Sequence, residues 1–314
     1  MKDNLVLFGL TPARVRADIP LSGSPERSAA RCAVEDTDGH VWVLERLKPG
    51  QQERRERIGR ALAALKKAGL PVAAYHASTD GRYTAEGPAG IWQAAPYVPG
   101  DPLPRPDYVD HASRGVALGT FLADLQEAAP SIHEFDTAPR FILEDYANDL
   151  LETVRPRRPD VHAAMAHALP VLAPLFEAWG ELPESLCQGD FHPLNIIWRG
   201  SDVAAVIDWE FAGMRPALFD AANCLGCIAI EDPQALVNGL APTLLRTLRQ
   251  RGCLDPTGFA LLPELVIGMR FAWMSEWLRR GDTEMIDLES RLIPLLANSI
   301  DTLHPAWRQI VDKP

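Results

Sequence analysis

Leu186 to Glu210 reads LCQGDFHPLNIIWRGSDVAAVIDWE, and the fold turns on it. Two short apolar stretches, Leu194 to Trp198 and Val203 to Ile207, flank the turn-forming run Arg199-Gly200-Ser201-Asp202. This spacing predicts a β-hairpin. With the turn centred between Ser201 and Asp202, Asn195 is expected directly opposite Asp208, and Ile196 opposite Ile207. Cross-strand neighbours sit roughly 5 Å apart. An amide oxygen and a carboxylate at that separation suit one hard cation, and Mg²⁺ prefers such oxygen ligands together with phosphate oxygens and water. Asp190 precedes Asn195 by five residues, on a loop broken by Gly189 and Pro193 where a carboxylate stands clear of the sheet.

Taken singly these residues are ordinary: Asp190 caps a turn, Asn195 begins a strand and Asp208 ends one. Together they have the order Asp-x4-Asn followed by a metal-binding Asp, which is how protein kinases arrange catalytic loop and metal ligands. Phosphoryl transfer asks for a base, for positioning and for neutralised charge, with little covalent work. The set supplies each part.

Upstream of the hairpin the chain reads as antiparallel β. Ala29 to Val34 and His40 to Leu47 are joined by Asp36-Thr37-Asp38-Gly39, and Gln51 to Ala68 follows as a helix with Ile58, Ala61, Leu62 and Leu65 on one face. Gly90 to Val98 is a further strand that runs into Pro99-Gly100-Asp101-Pro102, a cluster too rich in breakers for sheet. Residues 1–98 therefore read as a small lobe and 99–314 as a larger, mainly helical one. Its expected helices are Val116 to Gln126, Leu143 to Thr153, Val161 to Trp179, Ala217 to Ile230, Leu240 to Gln250 and Leu261 to Arg280.

Composition agrees with a folded two-lobed protein: 314 residues, 47% hydrophobic and 23% charged. A formal net charge of −11 argues against nucleic acid or an anionic membrane as partner and permits a cationic substrate. Five cysteines form an odd set without a secretory leader, which points to a reducing, cytoplasmic setting. Cys224 and Cys227 lie in the apolar run Ala221 to Ile230 and read as helix-core thiols rather than a metal or redox pair.

The sequence resembles the aminoglycoside phosphotransferase-like kinases, a group that includes choline kinase, homoserine kinase and several sugar kinases. Gln188-Gly189-Asp190-Phe191-His192-Pro193-Leu194-Asn195 is similar to the group's His-Gly-Asp-x-His-x-x-Asn loop, and Ile207-Asp208-Trp209-Glu210 to its Ile-Asp-Trp-Glu metal segment. The resemblance implies an α+β, protein-kinase-like fold with a β-rich N-lobe carrying one helix. It implies Asp190 as base and Asn195 and Asp208 as magnesium ligands. Asp220 would steady the loop, with Gln188 and His192 also in structural roles. Ser22 and Gly23 sit where the group has its phosphate-covering loop, and Glu56 is the candidate for the helix acid. Gln93, Ala95 and Tyr97 are expected to hold adenine. Arg270, Trp273 and Trp277, at helical spacing, and Glu210 beside the metal acid are expected at the acceptor.

Two departures bear on mechanism. Gln188 stands where His is usual, and Glu45 stands where many relatives place a Lys or Arg for the α- and β-phosphates. A carboxylate there repels nucleotide unless Arg46 turns inward, Lys48 reaches back, or the site works without this cation. A slip bringing Arg46 inward would turn over the whole strand. The expected activity is transfer of the γ-phosphate of ATP, with Mg²⁺, to a hydroxyl of a small molecule: a sugar, amino alcohol, amino acid or aminoglycoside. The alternative is a pseudokinase in which Glu45 and Gln188 record lost catalysis.

Overall fold

The computed structural model describes residues 1–21 and 28–313, so Ser22 and Gly23 lie outside the described residues. The chain divides into two compact units. One comprises Met1–Pro102, Ala128–Thr137 and Leu194–Ala212, the other Leu103–Glu127, Ala138–Pro193 and Gly213–Pro314. A single cut after residue 98 differs from this partition chiefly over the hairpin, which is counted with the N-terminal residues.

The first unit opens with a five-stranded antiparallel sheet: β1 (Pro12–Val15), β2 (Ala30–Asp36), β3 (Val41–Arg46), β4 (Ala85–Gly87) and β5 (Gly90–Pro96), in the order β1-β2-β3-β5-β4. Asp36 builds the β2–β3 turn, its carboxylate accepting from the Asp38 and His40 amides and from the Trp42 indole. Strand alternation then sorts the faces. Val34, Leu44, Trp92 and Ala94 pack with Leu5 and Phe8 from the N-terminal 3₁₀ segment Lys2–Phe8. Glu45 takes the other face, paired across the strands with Arg31 and Gln93. The helix α1 (Gln52–Lys67), between β3 and β4, buries Ile58, Ala61, Leu62 and Leu65 as expected, and Arg55 and Glu56 as well.

In the second unit, α2 (Ala112–Ala128, its last residue counted with the first unit) and α3 (Leu143–Val154) match the expected helices. The expected helix at 161–179 is instead α4 (Pro159–Ala166) and α5 (Leu169–Ala178), bent by 57°. Pro170 in the first turn of α5 has no amide hydrogen for the preceding turn, so the helix restarts there. β6 (Glu184–Cys187) follows and leads into the Gln188–Asn195 loop.

The hairpin returns the chain to the first unit as β7 (Ile196–Arg199) and β8 (Asp202–Val206). Its register differs from expectation. Ile196 pairs with Val206 and Ile197 with Ala205, then Trp198 with Val203 and Arg199 with Asp202. Ala204 is the extra residue of a bulge, and Gly200, at φ 60°, allows the two-residue turn Gly200-Ser201. The chain then re-enters the second unit. β9 (Gly213–Pro216) pairs with β6, and α6 (Phe219–Glu231), α7 (Leu240–Gln250), α8 (Pro256–Ala260), α9 (Leu262–Arg280), α10 (Thr283–Asn298) and α11 (Ile300–Asp312) complete the unit. Cys224 and Cys227 are buried in α6 as free thiols. Among the described residues no single helix is long and apolar enough to cross a membrane.

Candidate active site

The loop after β6 is held from α6. Gly189 adopts φ 86°, and this lets the amides of Gln188 and Gly189 both donate to the Asp220 carboxylate, at 2.6 and 2.9 Å. Asn223, one helical turn beyond Asp220, donates to the Phe191 carbonyl at 3.3 Å. Phe191 is buried and stacks on Phe121 of α2, ring centres 5.5 Å apart. Gln188, fully buried, accepts the Asp190 amide at 2.7 Å through its side-chain oxygen. A neutral amide thus fills the position where His was expected. These bonds fix the backbone on both sides of Asp190, whose carboxylate stays 16% exposed with the His192 ring nitrogen 3.8 Å away.

Burial pushes the Asp220 carboxyl up to about 6. The amides of Gly189 and Gln188 and the Arg215 guanidinium pull the other way. An acid this deep is satisfied by the loop it holds.

In the first unit the hairpin brings Asn195 and Asp208 to one end. The Asn195 carbonyl accepts from the Ile207 amide at 3.0 Å, so Asn195 lies opposite Ile207, one residue from the expected partner. The turn lies one position earlier than expected, at Gly200-Ser201, and the bulge at Ala204 takes back one residue of the two-residue shift that this makes. Asp208 leaves the strand at φ 60° and ψ 53°, the left-handed region. Trp209 is buried beneath it, its indole donating to the Val206 carbonyl at 3.0 Å. Asn195 and Asp208 thus flank a backbone-bonded position and present an amide oxygen and a carboxylate, the hard donors that Mg²⁺ takes.

Behind Asp208 the structure shows residues that the sequence reading passed over. Arg54 of α1 donates to the carbonyls of Glu210, at 2.6 Å, and Ala212, at 3.1 Å. Arg55 lies 2.7 Å from the Glu210 carboxylate and donates to the Tyr75 hydroxyl at 3.1 Å. Burial works against charge on Arg55, yet Tyr75, Glu210 and Glu45 together hold its guanidinium above the ordinary value. Burial likewise pushes the Tyr75 hydroxyl up to about 12. One signal was available: Arg55, Ile58, Leu62 and Leu65 share the apolar face of α1, and a charge on such a face needs a partner.

Several expected site residues stand elsewhere. Glu210 was expected at the acceptor, but its carboxylate is engaged by Arg55. Glu56 was expected as the helix acid. It accepts from the Tyr83 and Thr84 amides and the Thr84 hydroxyl, and so braces the segment before β4. Arg46 pairs with Trp92 in an unslipped register, which puts it on the opposite sheet face from Glu45 and Gln93. Arg270 is fully buried, its guanidinium bound by Glu289 of α10 at 3.1 Å, and is a core ion pair rather than an acceptor contact.

Gln93 is buried in β5, and its side-chain oxygen has no hydrogen-bond partner among the described residues. Ala95 is half-buried beside it, and Tyr97 follows β5 with its amide bonded to the Val41 carbonyl at 2.8 Å. In the second unit Trp273 and Trp277 stack with centres 5.3 Å apart. His192 meets Trp273 edge-on at 5.2 Å, and the Trp273 indole donates to Asn223 at 2.8 Å. The aromatic pair is thereby joined to the same loop that carries Asp190.

Comparison with known proteins converges on one family. The homoserine kinase of Beijerinckia indica subsp. indica is 30% identical over 185 residues, covering 57% of this chain and 57% of that protein. Across the curated relatives it matches, the chain spans between 31% and 57% of their length. An amicoumacin kinase in complex with AMP-PNP, Ca²⁺ and Ami superposes with a TM-score of 0.65 at 15% identity, covering 95% of this chain and 94% of that one. A microcompartment-associated aminopropanol kinase gives 0.65 at 19% identity, covering 96% and 97%. These likenesses show the fold, a mixed α+β architecture with an antiparallel N-terminal sheet and a mainly helical remainder. The sequence profile of the phosphotransferase enzyme family matches residues 24–262, and the chain belongs to that family.

Proposed function

We propose that the chain is an ATP- and Mg²⁺-dependent phosphotransferase that phosphorylates a hydroxyl of a small molecule. The observation that carries this reading is the Gln188–Asn195 loop: Asp190 projects a partly exposed carboxylate from a backbone pinned on both sides, five residues before Asn195. In the reaction the acceptor oxygen bonds to the γ-phosphorus, the bond from that phosphorus to its bridging oxygen breaks, and the hydroxyl proton passes to Asp190. Asn195 and Asp208 would hold the metal, which neutralises phosphate charge when bound. Gln93, Ala95 and Tyr97 would receive the adenine.

The pseudokinase alternative rested on Gln188 and Glu45. Gln188 accepts the Asp190 amide, and Glu45 is one of the charges that sustain buried Arg55, so neither substitution is a bare lesion. For the acceptor we favour an amino alcohol or hydroxy amino acid. Curated relatives that the chain matches are homoserine kinases, one structural neighbour is an aminopropanol kinase, and a net charge of −11 favours a cationic group such as an amine. Five free cysteines suit a cytoplasmic setting.

Calorimetric titration with a non-hydrolysable ATP analogue, with and without Mg²⁺, tests the reading, and binding that depends on Mg²⁺ is the expected result. No binding at millimolar nucleotide would overturn it. Asp190→Asn is expected to keep nucleotide affinity while turnover falls by about 10²–10⁴-fold, and undiminished turnover would remove Asp190 as the base.

A further inference from the structure

We propose that Arg54 and Arg55 of α1 are positioning residues that hold Asp208 in its metal-binding conformation by gripping the segment after it. The inference rests on the function proposed above. Three observations carry it. First, the segment is held at three points from one helix turn: Arg54 on the carbonyls of Glu210 and Ala212, and Arg55 on the Glu210 carboxylate. Second, Arg55 is 3% exposed, so this is an interior contact and not a screened surface pair. Third, Asp208 is the only described non-glycine residue with positive φ. Backbone in that region persists where its surroundings over-determine it, and the grip begins two residues further on.

The polarity is the reverse of the expected one. The strand carries an acid, Glu45, and the helix carries a cation, Arg55. Glu45 adds negative charge that favours the Arg55 guanidinium, and Glu210 is the carboxylate which that guanidinium contacts. Arg55 thus acts on the metal segment through Glu210 and leaves the phosphates to other groups.

The test uses the full chain and three variants: Arg54→Gln, Arg55→Gln and Arg55→Lys. Arg54 is exposed, so its replacement spares the core even where an Arg55 variant fails to fold. Mn²⁺ is titrated by electron paramagnetic resonance at saturating ATP analogue, and amide exchange is followed over residues 207–212. Arg54→Gln and Arg55→Gln are expected to weaken Mn²⁺ at least about tenfold and to speed exchange there relative to the β2–β3 amides, with Arg55→Lys between them and the parent. Unchanged Mn²⁺ affinity in Arg54→Gln would overturn the inference. So would an equal loss of metal-free nucleotide affinity in Arg55→Gln, which would make Arg55 a phosphate contact. A parent protein that binds no metal–nucleotide would instead overturn the proposed function.

Discussion

At Asp208 conformation and chemistry ask for different residues. Its φ of 60° suits glycine best, with aspartate among the few other residues that tolerate it. Asp208→Gly is therefore expected to unfold at equal or slightly higher stability, by up to about 1 kcal/mol, while metal-dependent nucleotide binding is lost. Urea unfolding beside calorimetry checks both halves, and a clear loss of stability would show that the side chain serves the fold. Asp220 makes a complementary case. Its carboxyl is pushed up to about 6 from an ordinary value of 3.8. Between those values the folded protein keeps a proton that the unfolded chain has lost, so this group's contribution falls as pH rises through the window, by up to about 3 kcal/mol. Asp220→Asn lacks that titration. Its deficit against the parent is expected to be largest near pH 4 and to shrink toward pH 7, and equal deficits in urea at pH 5 and 7.5 would rule this out.

Among elements, the buried pair of Arg270 on α9 and Glu289 on α10 is the sharpest case of a residue whose face was misjudged. Helical spacing put Arg270 with Trp273 and Trp277, but spacing alone does not say whether a stripe faces core or ligand. The deciding partner lies on α10, a helix not anticipated from the pattern. Glu289→Ala is expected to cost about 3–5 kcal/mol by stranding the guanidinium, and Arg270→Met with Glu289→Leu to recover most of it. Acceptor KM should be unchanged in the double variant, and a raised KM would return Arg270 to the substrate site. The same limit explains what else was legible. Asp190, Asn195 and Asp208 could be proposed from sequence because their spacing is local and the chemistry proposed for them is carried by residue type. The α1 grip could not, because Arg54 and Glu210 are 156 residues apart and no local period joins them. The hairpin fell between: its alternation was plain, but the exact place of the turn, at Gly200-Ser201, and the bulge at Ala204 both set register without changing composition.

For the whole molecule, two lobes, an antiparallel sheet and a helical remainder followed from the breaker cluster at 99–102 and the change of period beyond it. What a linear reading lacked was the return of residues 194–212 to the first unit, since membership in a core is a property of space. Charge is a property of the whole chain, and −11 predicts passage through a heparin column in 50 mM salt. Salt-sensitive retention would reveal a basic surface hidden by the net value. The interleaved partition also bears on synthesis. Chains emerge from the ribosome N-terminus first and domains tend to fold as they complete. Here the earliest residues wait: the last strand of the sheet ends at Pro96, but the first unit is unfinished until Ala212 of 314 has been made, so the nascent sheet goes on without its hairpin and with the grip of α1 unfilled.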